Sequence, residues 1–177
     1  MSQLDVLRES LGQCDEILLD ALLMRNRIVE DIMVYKEAND IAILQPEQEA
    51  KQKEWLARRM EGKRHKNEVD AVFEEITRNS KKIQARKLFD YNIVLIGFMG
   101  AGKSTISDFL RTVFAMEVVE MDQIIAEREG MSISDIFETY GEEYFRNLET
   151  ELLIEMQSRK NVVISCGGGV PMRESHV

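Results

Sequence analysis

The sequence predicts an α + α/β chain of two domains: an all-helical domain over residues 1–89, then part of a parallel α/β fold over residues 90–177. Three observations carry that division. Apolar residues of the first half recur at helical spacing, whereas short β-branched runs alternate with helical stretches in the second. Glycine is segregated, with Gly12 and Gly62 before position 90 and eight glycines after it. Charge divides as well: 16 Lys+Arg against 17 Asp+Glu up to Phe89, then 7 against 15. No Pro/Gly/Ser linker marks the join near residues 88–91, so a helix is expected to run almost directly into the second domain.

Composition narrows the function classes. A 44% hydrophobic content can fill real cores, and 31% charged residues with only two prolines exclude a collagen-like or wholly disordered chain. No apolar run approaches the ~18–20 residues of a membrane span, and no signal peptide opens the sequence. Cys14 and Cys166 are too few for a disulfide framework and read as small buried residues. These features predict a cytoplasmic protein without a membrane partner. The net charge of −9 argues against a nucleic-acid partner.

From residue 2 to about 39 there is no proline and one glycine, and Leu4, Leu7, Leu11, Leu18, Leu22, Ile28, Val29, Ile32 and Tyr35 follow helical periodicity. A helix of that length spans about 55 Å. A compact domain of this size has a radius of gyration of only about 12–13 Å. Such a helix cannot cover its apolar stripe with its own short chain, so an intertwined homodimer is expected. Pro46 suits the first turn of a second helix ending near Gly62. Asn67 is placed to cap a third, whose apolar face is Val69, Val72, Phe73, Ile76 and Ile83.

Polar residues on these helices form a pattern. Arg25 and Lys36 project from one face, about 20° apart around the helix, whereas Arg8 lies about 260° from Arg25 and must reach the same site from another subunit. Ser80 and Gln84 are i,i+4 neighbours, and Gln48-Glu49 sit in the opening turn of the second helix. Taken singly, each is an ordinary solvated helix residue. Together, from Leu7-Arg8-Glu9 to Ser80-Lys81-Lys82-Ile83-Gln84, this half resembles the all-helical chorismate mutases over essentially its whole length. Gln48 departs from the family, which usually has arginine there. The resemblance implies a three-helix fold, an intertwined dimer, and chorismate rearranged to prephenate without a cofactor. That reaction needs a dicarboxylate held in a compact chair and charge stabilised on the breaking ether oxygen. By resemblance, Arg25 and the partner subunit's Arg8 clamp the carboxylates, Lys36 and Gln84 face the ether oxygen, Glu49 takes the ring hydroxyl, and Ser80 and Gln48 contact substrate.

In the second half, Asn92-Ile93-Val94-Leu95-Ile96 reads as a buried strand. Gly97-Phe98-Met99-Gly100-Ala101-Gly102-Lys103-Ser104 follows, a complete G-x-x-x-x-G-K-S, and then an amphipathic stretch with Ile106, Phe109, Leu110 and Val113. This strand–loop–helix context is the one a phosphate loop requires: backbone N–H groups wrap phosphate oxygens at a helix N-terminus. Gly97, Gly100, Ala101, Gly102, Lys103, Ser104 and Thr105 are therefore the expected ATP-binding residues, with Ser104 the Mg²⁺ ligand. Val118-Val119 reads as a second strand leading to Glu120 and Asp122. Ser132 and Asp135 form a capping box, a helix covers about 142–159, and Val162-Val163-Ile164-Ser165 is a third strand entering Cys166-Gly167-Gly168-Gly169. Alternating strands and helices predict a parallel sheet, with ligands collecting at strand C-termini.

Asp122, Phe145-Arg146-Asn147-Leu148-Glu149 and the triple glycine make this half similar to shikimate kinase, a P-loop kinase fold. The resemblance implies that Asp122 binds the shikimate hydroxyls and helps deprotonate the attacking one. Arg146 would pair with the substrate carboxylate, and Gly168 and Gly169 would line the substrate. Glu120 stands where the family usually has aspartate near Mg²⁺. The 88 residues from Asp90 are about half of such a domain. They lack the lid arginine, a later substrate arginine and the adenine loop, so little kinase activity is expected of this chain. The overall expectation is a bifunctional enzyme of aromatic amino-acid biosynthesis, an isomerase joined to an ATP-dependent phosphotransferase. The rival is another P-loop small-molecule kinase, gluconate-kinase-like, carrying a non-catalytic helical dimerisation domain.

Overall fold

The structure, a computed structural model, describes residues 2–168. It divides into two compact units, Met1–Gln84 and Ala85–Val177. The first holds α1 (Gln3–Ala38), α2 (Pro46–Arg59) and most of α3 (Lys66–Leu88). Ser2 starts α1 with a capping box: its Oγ accepts from Asp5 N at 3.2 Å, and Asp5 Oδ2 accepts from Ser2 N at 2.8 Å. With 36 residues, α1 is about 54 Å long. Only Val29, Met33 and Lys36 are buried on it, while Leu4, Leu7, Leu11, Leu18 and Ile28 stay exposed.

Pro46 occupies the opening turn of α2 as expected, and Glu49, Gln52, Leu56 and Met60 form its half-buried stripe. The third helix differs from the sequence expectation. It begins at Lys66, which pairs with Asp70 at 2.5 Å, so Asn67 lies inside the first turn and does not cap it. Phe73, Ile76 and Ile83 face inward, but Val72 is exposed. Trp55 packs on Phe73 with ring centroids 6.1 Å apart.

The second unit contains β1 (Ile93–Leu95), α4 (Lys103–Phe114), β2 (Glu117–Glu120), α5 (Met121–Glu129), α6 (Ile133–Met156) and β3 (Val162–Ser165). The strands are parallel in the order β1-β3-β2, so the last strand in sequence is the central one. All four β3 residues are buried, which is why Val-Val-Ile reads as a continuous apolar run without alternation. Val162 and Ile164 pack with Val119, Met121, Ile125, Ile136, Phe145, Leu152 and Met156. Val163, on the opposite face, packs with Ala85, Leu110 and Met116. Asp122 falls in the first turn of α5, beyond the strand, and α6 is kinked at Gly141 (φ 83°), so the helix expected from 142 is its second segment.

Two asparagines tie helix ends to the sheet. Asn161 donates to Ala85 O and Phe89 O at 3.0 and 2.9 Å, accounting for carbonyls at the C-terminal end of α3. Asn92 donates to Met156 O and Arg159 O at 3.0 and 2.9 Å, and its Oδ1 accepts from Val162 N at 3.2 Å. Asn92→Ala strips partners from three part-buried backbone groups at once. It is expected to destabilise this unit by about 2 kcal/mol. Calorimetry should show a melting transition lowered by roughly 10 °C.

Candidate functional site

In the first unit, two polar side-chain contacts join helices, one between α1 and α3 and one between α2 and α3. Arg25, half-buried on α1, donates to Ser80 Oγ on α3, and Ser80 in turn donates to Ile76 O at 2.9 Å. Lys36, three turns along α1, is 8% exposed, and its Nζ donates to Ile43 O at 2.8 Å. Burial lowers the pKa of both groups, because a desolvated cation is disfavoured. Neither makes an ion pair with a carboxylate among the described residues. Glu49 Oε2 on α2 pairs with Lys81 Nζ on α3 at 2.9 Å. Gln84 is half-buried one turn beyond Ser80. Chemically, Arg25 and Lys36 are partly desolvated cations without carboxylate partners among the described residues, whereas the Glu49 carboxylate has a partner in Lys81.

Two expected members stand apart. Arg8 is exposed on α1, 17 residues or about 25 Å of helix before Arg25. Gln48 is exposed on α2. Lys81 was not singled out in the sequence, where a lysine on an amphipathic helix carries no signal of its partner.

In the second unit, β1 ends in the glycine-rich loop and α4 starts at Lys103. Gly100 and Gly102 take φ of 83° and 84°, conformations that favour glycine, and Gly102 is the N-cap of α4. Lys103 Nζ donates to Gly97 O and Phe98 O, at 2.5 and 3.2 Å, so the ammonium sits within the curl of the loop. Ala101, Ser104 and Thr105 are exposed at the loop and the start of α4. Ser107 is buried with its Oγ 3.1 Å from Ser104 O and 3.4 Å from Glu120 Oε1, linking the start of α4 to the end of β2.

A second cluster lies beyond the ends of β2 and β3. Arg146 donates to Glu149 Oε2 at 2.7 Å and to Glu142 Oε1 at 3.0 Å. Burial works to lower its pKa, but these two carboxylates outweigh it and raise the pKa. Glu149 is fully buried, and its Oε1 has no hydrogen-bond partner among the described residues. A Cβ on Gly167 would lie 2.9 Å from Asp122 Oδ1 and 3.2 Å from Glu149 Oε1, so glycine is what lets both carboxylates approach this point. Gly167→Ala is expected to swing the exposed Asp122 carboxylate aside while costing the unit no more than about 1 kcal/mol. Urea denaturation checks this. A Cβ on Gly168 would sit in ordinary contact with Phe98, 3.5 Å from its Cα. Gly169 lies outside the described residues.

In this unit Glu149 is a site member that the sequence expectation leaves out, whereas Gly167 belongs to the triple glycine expected at the strand end. The i,i+3 spacing of Arg146 and Glu149 was the available signal. Cys166 is buried as expected, its thiol pushed up to about 11 by desolvation and by Glu149 and Asp122. Cys14, in contrast, is exposed, because the face of α1 that carries it packs on nothing within its unit.

Residues 7–85 match the family model described as Chorismate mutase type II, and residues 99–177 that of Shikimate kinase. A shikimate kinase of Dehalococcoides mccartyi is 49% identical over 82 residues, 46% of this chain and 47% of its own. The bifunctional shikimate kinase/3-dehydroquinate synthase of Thermotoga maritima is 51% identical over 78 residues, 44% of this chain and 16% of its own. A solved structure of shikimate kinase from Acinetobacter baumannii in complex with shikimate has 40% identity and a TM-score of 0.46, covering 49% of this chain and 48% of that one. The chain spans about half the length of the curated shikimate kinases it matches. These matches do not favour the rival of a gluconate-kinase-like enzyme with a non-catalytic helical domain.

Proposed function

Because the chain joins a chorismate mutase type II segment to a shikimate kinase segment, we propose that its first unit rearranges chorismate to prephenate and its second carries the nucleotide and shikimate sites of an ATP-dependent kinase. The observation that supports this most strongly is the pair Arg25 and Lys36, partly desolvated and without carboxylate partners among the described residues. Burying cations in that way is unfavourable unless a ligand of opposite charge repays it, and a dianion does so.

In this reading Arg25, aligned by Ser80, holds one carboxylate. The partner subunit's Arg8 holds the other, since α1 places this chain's own Arg8 far from Arg25. Lys36 donates to the ether oxygen as its bond to carbon breaks, assisted by Gln84, and Glu49 accepts from the ring hydroxyl. Gln48 borders the substrate as a neutral contact. The exposed leucines of α1 then form a homodimer interface. Incubating the full chain with chorismate tests this. Loss of chorismate absorbance is expected, and a chain that leaves it unchanged overturns the reading.

In the second unit, backbone N–H groups of Gly97, Gly100, Ala101 and Gly102, the Lys103 ammonium and the Ser104 and Thr105 groups cradle the ATP phosphates. The residues fit Mg²⁺: no cluster of three or more His, Cys, Asp or Glu that could hold a metal occurs among the described residues, but the Ser104 hydroxyl, with Glu120 near Ser107, suits a hard cation that keeps waters and phosphate oxygens. Bound there, Mg²⁺ would neutralise phosphate charge. Asp122 orients the shikimate hydroxyls and takes up a proton, Arg146 pairs with the substrate carboxylate while Glu149 holds it in place, and Gly168 and Gly169 line the substrate. Lys103→Met is expected to weaken ATP binding about fiftyfold, the loss of charge-assisted hydrogen bonds. Titration calorimetry of the full chain measures it, and equal affinities would remove Lys103 from the site. Both cysteines are free, and no helix among the described residues is long and apolar enough to cross a membrane. Both features accord with a cytoplasmic enzyme.

A further inference from the structure

We infer that Lys81 is a positioning residue of the mutase site, holding Glu49 for the substrate's ring hydroxyl; this rests on the mutase reading above. The pair Lys81–Glu49 differs in kind from the other ion pairs among the described residues of the first unit. Arg58–Glu54, Lys66–Asp70 and Arg78–Glu75 each join neighbours one turn apart on a single helix. Lys81–Glu49 alone among them joins two helices, α3 and α2. The lysine side chain is 22% exposed, against 44–74% for the cations of those local pairs. Lys81 directly follows Ser80, which accepts from Arg25, so the same turn of α3 carries a contact to α1 and one to α2.

Electrostatics gives the pair a function. Glu49 is a negative charge placed toward a dianion, and unpaired it would repel that ligand. Gln48 and Ala50, its neighbours on α2, are neutral. Arg25 and Lys36 against Glu49 sum to +1, and Lys81 raises the sum to +2. Geometry gives it a second role. Lys81 engages Oε2, and Glu49 Oε1 makes no hydrogen bond among the described residues, so one carboxylate oxygen is anchored while the other keeps its capacity to accept. Lys81 thus acts on substrate through Glu49.

A double-mutant cycle in the full chain tests the inference. Lys81→Met is expected to raise KM for chorismate about tenfold and leave kcat within about twofold, because interactions present in both ground and transition states are lost together. Lys81→Arg should retain wild-type KM. In a Glu49→Gln background, Lys81→Met should change KM less than about twofold, since the carboxylate it positions is gone. An unchanged KM in Lys81→Met, or the same increase in both backgrounds, overturns the role of Lys81 while leaving the mutase reading intact. A wild-type chain that turns over no chorismate overturns both.

Discussion

Lys36→Met is expected to lower kcat/KM for chorismate about a thousandfold, some 4 kcal/mol of transition-state stabilisation. Lys36 is the most buried cation of the first unit, and Ile43 O holds its ammonium in place before any ligand arrives. A donor fixed in advance in a poorly solvated site stabilises developing negative charge far better than a mobile surface lysine. Helix content should be unchanged, and a variant retaining more than about a tenth of the activity would remove Lys36 from the ether oxygen. The pH dependence carries a sign that separates activity from stability. Burial lowers the pKa of Lys36, so its charge is lost at a lower pH than that of an exposed lysine. Turnover by the free enzyme should therefore decline as pH rises through that value. Stability moves the other way, because the unfolded chain holds the proton more tightly and folding is favoured as pH rises. Kinetic and denaturation profiles with opposite slopes on the alkaline side are the expected result.

Leu11→Glu together with Leu18→Glu should convert the protein to a monomer and abolish chorismate turnover, a loss of at least about a hundredfold. Both leucines are more than half exposed on α1. Burying one leucine contributes about 1.5–3 kcal/mol, and a symmetric pair of helices buries four of these two, so the double substitution removes roughly 6–12 kcal/mol and places charges in the interface. Sedimentation equilibrium and chorismate assays follow the two losses in parallel. Subunit mixing adds a direct check that the site is shared. Arg8→Ala and Arg25→Ala should each be inactive alone, yet random pairing places one intact site in every mixed dimer and restores about a quarter of wild-type activity. A monomeric double variant that still turns over chorismate would place the whole site within one chain.

Much of this fold was legible because its signals are local. Thirty-six residues without proline and with one glycine specify a helix, and Pro46 specifies where the next can begin. The glycine-rich loop was legible because the positive φ of Gly100 and Gly102 is a property of glycine within one short segment. Errors fell where a local preference met a competing contact. Asn67 is a good cap by propensity, but α3 begins one residue earlier, with Lys66 engaged by Asp70. Val72 has the periodicity of a core residue and remains exposed, because α3 turns a narrower face inward. Cys14 shares the long apolar stripe of α1, and that stripe is uncovered within its own unit.

The amino-acid sequence alone specifies which segments form helices and strands, which half carries the phosphate-loop motif, and which cations share a face of α1. These follow from periodicity and backbone conformation, which act between residues a few positions apart. Packing sets the position of β3 between β1 and β2, the pairing of Glu49 with Lys81, and the convergence of Asp122 and Glu149 on Gly167. Those contacts join residues far apart in the chain. They depend on the rotation and depth at which elements pack, which burial of the whole core sets and no local pattern encodes.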